Sequence, residues 1–509
     1  MDRSTFSIRR RRLTLVPALL ALLVVFVMGA EATRSFADEW ETGQLQVELI
    51  PGTPISVIND LYGTSTLDSL PPLYLLRCPD GSEADYVYQI RQNPNVVEAE
   101  YSWDNETPEG TRQMMVAAVG GTITDYLDQH LTTRIHLAEI QSHTMGDGVL
   151  VAVIDTGVLP DHPAFDGAIE PNGWDFVDND AEPLDEANGV DDDLDGLTDD
   201  GAGHGTMVAG IVHLVAPHAR ILPVRVLNDE GRGTTFNVAK GIRYAVEHGA
   251  QVINLSLGLT QECMVIRHEV RAAYDQSVAM VGAAGNGGSD YPVYYPASDP
   301  HVVSVAALDS VDVRTSFTSY GSTVDVAAPG DGVLAPFYDG EYAIGAGTSF
   351  SAPFVSGQCA LVLSLKPDAG VQTVYATIGL GVVGIYQIPE NGPYEGKLGS
   401  GRFDGMATWV TSPKTADVDG TGLAAGRLEL FPNPSRVGQG VSFRLDNAGA
   451  PSRMVVVDAT GRRVRTIEPG PTGLARWNGR DASGRAVPPG VYFVHADGGA
   501  LQGRIVLDR

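Results

Sequence analysis

Cysteine is scarce: Cys78, Cys263 and Cys359 are all that 509 residues contain. Three are too few for a disulfide scaffold. None sits in a motif that would activate a thiol, which argues against a cysteine nucleophile. Cys359 reads as a small apolar packing residue, and pairing of Cys263 is left open. Positive charge is short as well, with 34 Lys+Arg against 63 Asp+Glu and a net charge of −29. A protein that grips a nucleic-acid backbone needs a basic face, so nucleic acid is not an expected partner. Acidic balance favours solubility and names no partner. Long apolar runs are missing but for Leu13 to Met28, which follows Arg9-Arg10-Arg11-Arg12 and precedes Ala30-Glu31-Ala32. Basic start, apolar middle and small-x-small end read as a signal peptide over residues 1–32. An uncleaved anchor is the competing reading. With the signal removed, no membrane span is expected, and the chain is expected outside the cell or at its surface.

A length of 509 residues suggests about two to four domains, and hydrophobic residues at 43% are enough to give them cores. Three short segments carry the chemistry. Val151-Ala152-Val153-Ile154-Asp155-Thr156-Gly157 is an apolar run ending in an acid. It predicts a strand buried on both faces, with Asp155 at the C-terminal edge where sites of parallel sheets form. Gly203-His204-Gly205-Thr206 opens a helical stretch, and so does Gly347-Thr348-Ser349-Phe350-Ser351-Ala352-Pro353. Pro353 is expected in that helix's first turn. A nucleophilic serine needs a base, and the base needs a carboxylate to orient it. A serine at a helix N-terminus also has free N–H groups beside it, suited to a developing oxyanion. Val281-Gly282-Ala283-Ala284-Gly285-Asn286-Gly287 runs from a strand into a turn, where the Asn286 amide is placed to donate to the same oxyanion. Each segment alone is more often a turn or a cap; the set together is not.

These segments resemble the subtilisin-like serine protease (subtilase) family, whose order is Asp, His, Ser. The resemblance covers roughly residues 135–412. It implies that Asp155 orients the imidazole, His204 is general base and then acid, and Ser349 is the nucleophile. Asn286 and the Ser349 N–H would form the oxyanion hole. Ser256-Leu257-Gly258 is similar to the family's substrate-binding strand. Ala283-Ala284-Gly285 is similar to the other wall of its S1 pocket, and Gly231 and Gly233 fall where a second substrate-flanking strand lies. Met207 and Phe354 stand where members usually carry His, and both read as core residues.

The expected fold is α/β, a subtilisin-like and largely parallel sheet with helices on both faces, occupying residues 135–412. Residues 40–104 read as a βαββαβ unit of ferredoxin-like type. That unit resembles the inhibitory prodomain of subtilases, in which case it is an intramolecular inhibitor; a non-inhibitory N-terminal domain is the alternative. The maturation cut falls anywhere from about residue 103 to 140. Residues 413–425 read as a linker. From 421 onward there are 12 Arg, no Lys and 7 Asp+Glu, giving +5 against −34 for the rest. That flip marks a last domain, 426–509, whose short alternating runs predict a small β-sandwich. It resembles Ig-like C-terminal domains, including sorting domains of type IX-secreted proteins, which implies export or surface attachment; an inert accessory sandwich is the alternative.

Between Trp174 and Gly203 the chain is acid-rich and carries no Lys or Arg. Asp191, Asp193, Asp195 and Asp199 alternate around Gly196, a pattern that wraps a hard cation. Calcium is the cofactor this predicts, a solvated acidic loop the alternative. Together these features describe a secreted serine endopeptidase made as a zymogen and acting on proteins or peptides. The competing readings are a catalytically silent subtilase fold used for binding, and a cell-surface adhesin.

Overall fold

A computed structural model describes residues 40–108, 116–191, 196–288 and 293–411, and between 427 and 508 the strands with residues 453 and 478–488. The expected signal peptide and linker lie outside the described residues.

The apolar run before Asp155 forms the strand Leu150–Asp155 inside a nine-stranded sheet. In sheet order the strands are Val382–Val383, Arg402–Phe403, Val326–Pro329, Val303–Leu308, Ala279–Ala283, Val252–Leu255, Leu150–Asp155, Arg220–Arg225 and Trp174–Asp175. Neighbours are parallel except the pair Val382–Val383 and Arg402–Phe403. Side chains of a strand alternate between faces, and here the two faces feed two cores. Val151 and Val153 pack with the helices His204–Val215 and Thr348–Leu365. Ala152 and Ile154 pack with Thr235–Glu247 and Met264–Asp275. Both faces are therefore covered, the α/β arrangement the sequence predicts.

Thr348–Leu365 is buried from Thr348 to Leu363. Among the described residues it is the one helix long and apolar enough to cross a membrane, and here it runs through the core. Met207, Phe354 and Cys359 are wholly buried in the same core.

Residues 40–106 form a second layer. Its strands lie in the order Ser65–Leu70, Leu73–Arg77, Trp40–Leu49 and Val96–Glu106, all antiparallel. The helices Ser56–Tyr62 and Glu83–Ile90 supply Ile58, Val87 and Ile90 to its small core. The expected βαββαβ order has room for the strand Ser65–Leu70, but its residues cannot be picked out in sequence, because Ser-Thr-Leu-Asp-Ser-Leu lacks apolar alternation and is never fully buried. Sequence reading also stops the last strand at Tyr101, whereas the strand continues to Glu106. The C-terminal strands make a three-stranded and a five-stranded sheet around Met454, Val456, Trp477, Tyr492, Val494 and Ile505. Trp477 packs edge-on against Tyr492, with centroids 5.0 Å apart.

Candidate active site

Asp155 ends its strand wholly buried. Its carbonyl accepts the Val226 N–H at 2.9 Å, which fixes the backbone at the sheet edge. His204 is the first residue of its helix and is likewise wholly buried. The cap Gly203 has φ +91°, and a Cβ there would fall 2.1 Å from the Phe337 ring, so only glycine fits. Gly205 is needed for contact: a Cβ there would meet the Gly157 carbonyl oxygen at 2.1 Å. Those two glycines let the helix start press against the Asp155 loop. His204 Nδ1–H then donates to Asp155 Oδ1 at 2.6 Å, leaving Nε2 as the ring's second functional nitrogen. Asp155 Oδ1 also accepts the Thr156 N–H at 2.8 Å. Asp155 Oδ2 finds no partner among the described residues.

Ser349 lies one residue into its helix. The ring of Phe350, the next residue, is 5.6 Å from the His204 ring. Ser349 Oγ–H donates to the Ser256 carbonyl at 3.3 Å, and Ser256 Oγ–H donates back to the Ser349 carbonyl at 2.8 Å. That carbonyl is open for a reason in the sequence. Pro353 sits four residues on and has no N–H to give it. Pro353 therefore lies in the helix's second turn, not the first as expected, because the helix begins at Thr348. The tie continues inward: Asn254 Nδ2 donates to Ser256 Oγ at 2.9 Å and Ser356 Oγ donates to Asn254 Oδ1 at 2.8 Å. Asn286 is buried beside this point. Its Oδ1 accepts from Thr348 N and Thr348 Oγ1, each at 3.0 Å, which fixes the amide with Nδ2 as its donor end.

A strand of the chain itself crosses the cleft. Asp104, Asn105 and Glu106 pair antiparallel with Thr234, Gly233 and Arg232. On the other side Glu106 N–H donates to Gly258 O at 3.3 Å and Gly258 N–H to Glu106 O at 3.0 Å. Thr107 N–H reaches Gly231 O at 3.0 Å. A Cβ at Gly231 would sit 2.9 Å from Thr107 Oγ1, and one at Gly233 2.1 Å from the Val226 carbonyl oxygen. Segments 231–234 and 256–258 thus hold an extended peptide between them by backbone bonds. Leu257, Ala283 and Ala284 are wholly buried in the walls.

Residues 146–380 match the sequence model of the Subtilase family. Thermitase of Thermoactinomyces vulgaris is 41% identical over 229 residues, 43% of this chain and 76% of thermitase. The Thermophilic serine proteinase of Bacillus sp. (strain AK1) is 41% identical over 227 residues, 43% of this chain and 52% of that protein. The chain belongs to the subtilase family. It is a serine endopeptidase of that family. In fold it is similar to fervidolysin from Fervidobacterium pennivorans, a keratinolytic enzyme related to subtilisin. The TM-score is 0.61 at 22% identity, over 90% of this chain and 71% of that one.

Three side chains of this subtilase escape sequence reading. Asp185, from the acid-rich insert, is buried between the strand of Asp155 and the helix of His204. Its Oδ1 accepts Thr156 Oγ1–H at 3.1 Å and Gly203 N–H at 2.8 Å. Its Oδ2 accepts Thr206 N–H at 2.8 Å and Thr206 Oγ1–H at 2.6 Å. Burial pushes its acidity down, and the bonds from Thr206 and Gly203 oppose that. Its sequence signal was drowned by neighbouring acids. Glu100, on the strand that enters the cleft, accepts Met264 N–H at 2.8 Å at the start of the helix Met264–Asp275. The Cys263 thiol lies 3.2 Å from the same oxygen and is unpaired, which closes the question left by the sequence. Desolvation pushes the Glu100 carboxyl up to about 7; bonds from Cys263 and Met264 act against it. Tyr294 is the third.

The expected calcium ligands are only partly described. Asp193 and Asp195 lie outside the described residues. Asp191 Oδ2 accepts Gly196 N–H at 3.0 Å, and Asp199 Oδ1 accepts Asn188 N–H at 2.8 Å. Among the described residues no three His, Cys, Asp or Glu side chains gather as a metal-holding group. Asp191 and Asp199 alone do not make a calcium site.

Proposed function

We propose that the chain is a secreted endopeptidase made as a zymogen, with Ser349, His204 and Asp155 as its catalytic set. The observation that carries this reading is the buried 2.6 Å bond between His204 and Asp155, with the ring of Phe350, the residue after Ser349, packed against the His204 ring. Ser349 Oγ attacks the peptide carbonyl while His204 Nε2 takes its proton. The negative oxygen is held by Asn286 Nδ2 and the Ser349 N–H. His204 returns the proton to the leaving nitrogen as the C–N bond breaks. Water, deprotonated by His204, then cleaves the acyl ester and restores Ser349. Asp155 holds the imidazole in one tautomer and stabilises its cation. In subtilisin, loss of the serine or the histidine costs about 10⁶ in kcat and loss of the oxyanion asparagine about 10²–10³; the same ranking, Ser349 and His204 above Asn286, is expected here.

Residues 40–108 act as the inhibitor, lying in the cleft as a peptide lies. Glu106 exchanges both bonds with Gly258, so antiparallel register sets Pro108 opposite Ser256, the residue whose carbonyl meets Ser349 Oγ. The Pro108 carbonyl is the one offered to the nucleophile, and the mature chain begins at residue 109. Export rests on the basic-apolar-small pattern of residues 1–32. Calcium in the loop of Asp191, Asp193, Asp195 and Asp199 rests on their alternation alone. Digestion of a peptide library by the processed chain, with Ser349→Ala as control, tests the reading. Hydrolysis by the first alone, with a mature N-terminus at residue 109, is the expected result; equal hydrolysis by both overturns it.

A further inference from the structure

The segments Ser256-Leu257-Gly258 and Ala283-Ala284-Gly285 lie next to Ser349 and Asn286, and one side chain, Tyr294, packs against the glycine of each. A Cβ built on Gly258 would lie 3.0 Å from Tyr294 Cβ and 3.1 Å from its Cδ2. One built on Gly285, where φ is +100°, would lie 2.4 Å from Tyr294 Cδ1 and 2.8 Å from its Cγ. The ring is thus in contact with both walls at once, and each wall is glycine where it touches. Tyr294 is only 1% exposed. Its backbone is pinned by Tyr294 N–H to Ala284 O at 3.0 Å and by Ser298 N–H to Tyr294 O at 2.8 Å. Leu259 and Tyr295 exchange bonds of 2.9 and 2.8 Å directly after it. These bonds hold the backbone that carries the ring, and the ring itself is buried.

The occupant of the cleft agrees independently. Pro108, at the reacting position by register, has a short ring and no N–H. It is buried there, and its ring is the size of side chain that a closed pocket takes.

We propose that Tyr294 is the specificity-determining residue of this subtilase, closing the pocket for the side chain that precedes the scissile bond. The substrates are then polypeptides with a small residue there: glycine, alanine, serine or proline. Leucine, phenylalanine and tyrosine are refused because their side chains need the volume the ring occupies. This rests on the peptidase reading given above. A pocket misfit of about one methylene changes kcat/KM by roughly 10–200-fold, and a phenyl ring exceeds that misfit.

The test uses processed enzyme and a peptide series that differs only at that position: alanine, proline, leucine, phenylalanine. Active sites are counted with a fluorophosphonate. Wild type is expected to favour alanine over phenylalanine by at least about 10-fold in kcat/KM. Tyr294→Gly is expected to raise the phenylalanine rate by about 10-fold or more with little change for alanine. Tyr294→Phe, which keeps the ring, should behave as wild type. Wild type that cleaves after phenylalanine as well as after alanine overturns the proposal, whether or not Tyr294→Gly folds. An alanine-to-phenylalanine ratio unmoved in a folded, labelled Tyr294→Gly overturns it too. Protein that takes no label and cleaves none of the peptides overturns the peptidase reading itself, and the pocket assignment falls with it.

Discussion

At the scale of single residues, the site depends on groups that hold the catalytic set as much as on the set. Asp185 satisfies four donors, two of them backbone N–H groups in the first turn of the His204 helix. Thr156 Oγ1 also accepts Gly205 N–H at 2.9 Å, so Asp155's neighbour and His204's helix share one carboxylate. Replacing it with alanine strands buried donors at about 1–3 kcal/mol each. Asp185→Ala is therefore expected to lower both the melting temperature and kcat, the latter by about 10-fold or more, with KM nearly unchanged. Steady-state kinetics on titrated active sites check this; wild-type kcat in a folded variant counts against it. Asn105 is the opposite case. It is wholly buried in the covering strand, and neither end of its amide finds a partner among the described residues. Such a group weakens the strand's hold by about 1–3 kcal/mol. Asn105→Leu should slow the appearance of peptidase activity from purified zymogen by about 10-fold. Unchanged or faster activation would show that Asn105 is not a weak point.

At the scale of elements, most of the central sheet was legible because buried parallel strands are unbroken apolar runs. Leu150–Asp155 follows that rule up to its terminal acid, and Val252–Leu255 and Val303–Leu308 follow it with one polar residue each, Asn254 and Ser304. The segment that enters the cleft was not legible. Ser102 to Glu106 is polar, and it is a strand because Arg232–Thr234 and Gly258 supply backbone partners far along the chain. The hairpin Asp331–Pro336 and Tyr342–Ala346, joined by Val116–Val119, was missed for a similar reason: its pairing is decided by the body it packs on. Asp155, His204 and Ser349 stood out in sequence through their small neighbours, whereas Asp185 and Tyr294 gain meaning only from what lies across space. The strand Val96–Glu106 carries a pH response as well. Glu100 titrates at about 7 in the folded chain against an ordinary carboxylate value of 4.5. A raised carboxyl favours the folded state at low pH, and that favour is lost as pH climbs from about 4.5 to about 7. The shift is worth about 3 kcal/mol at most. In chains locked by Ser349→Ala, Glu100→Gln should gain melting temperature over its parent as pH rises through that window. Parallel melting curves from pH 4 to 8 would remove Glu100 from the account.

At the scale of the whole molecule, two parts meet at one cleft and a third has a core of its own. The N-terminal layer delivers Asp104–Pro108 into it, the nine-stranded sheet presents its walls, and the basic C-terminal sheets carry a separate small core. The acid-rich insert before His204 reaches the site through Asp185, which holds the helix start. If calcium orders this loop, a chelator should lower the melting temperature by several degrees, and calcium should restore it; scanning calorimetry that shows no change speaks against a structural ion. The central claim is that Ser349, served by His204 and Asp155, is the nucleophile under the chain's own strand. Fluorophosphonate labelling followed by peptide mapping tests it most directly. The account predicts a single label, on Ser349 of the processed chain, and an unlabelled, uncut Ser349→Ala chain. Peptide hydrolysis by Ser349→Ala, or a label on any other residue, would contradict it.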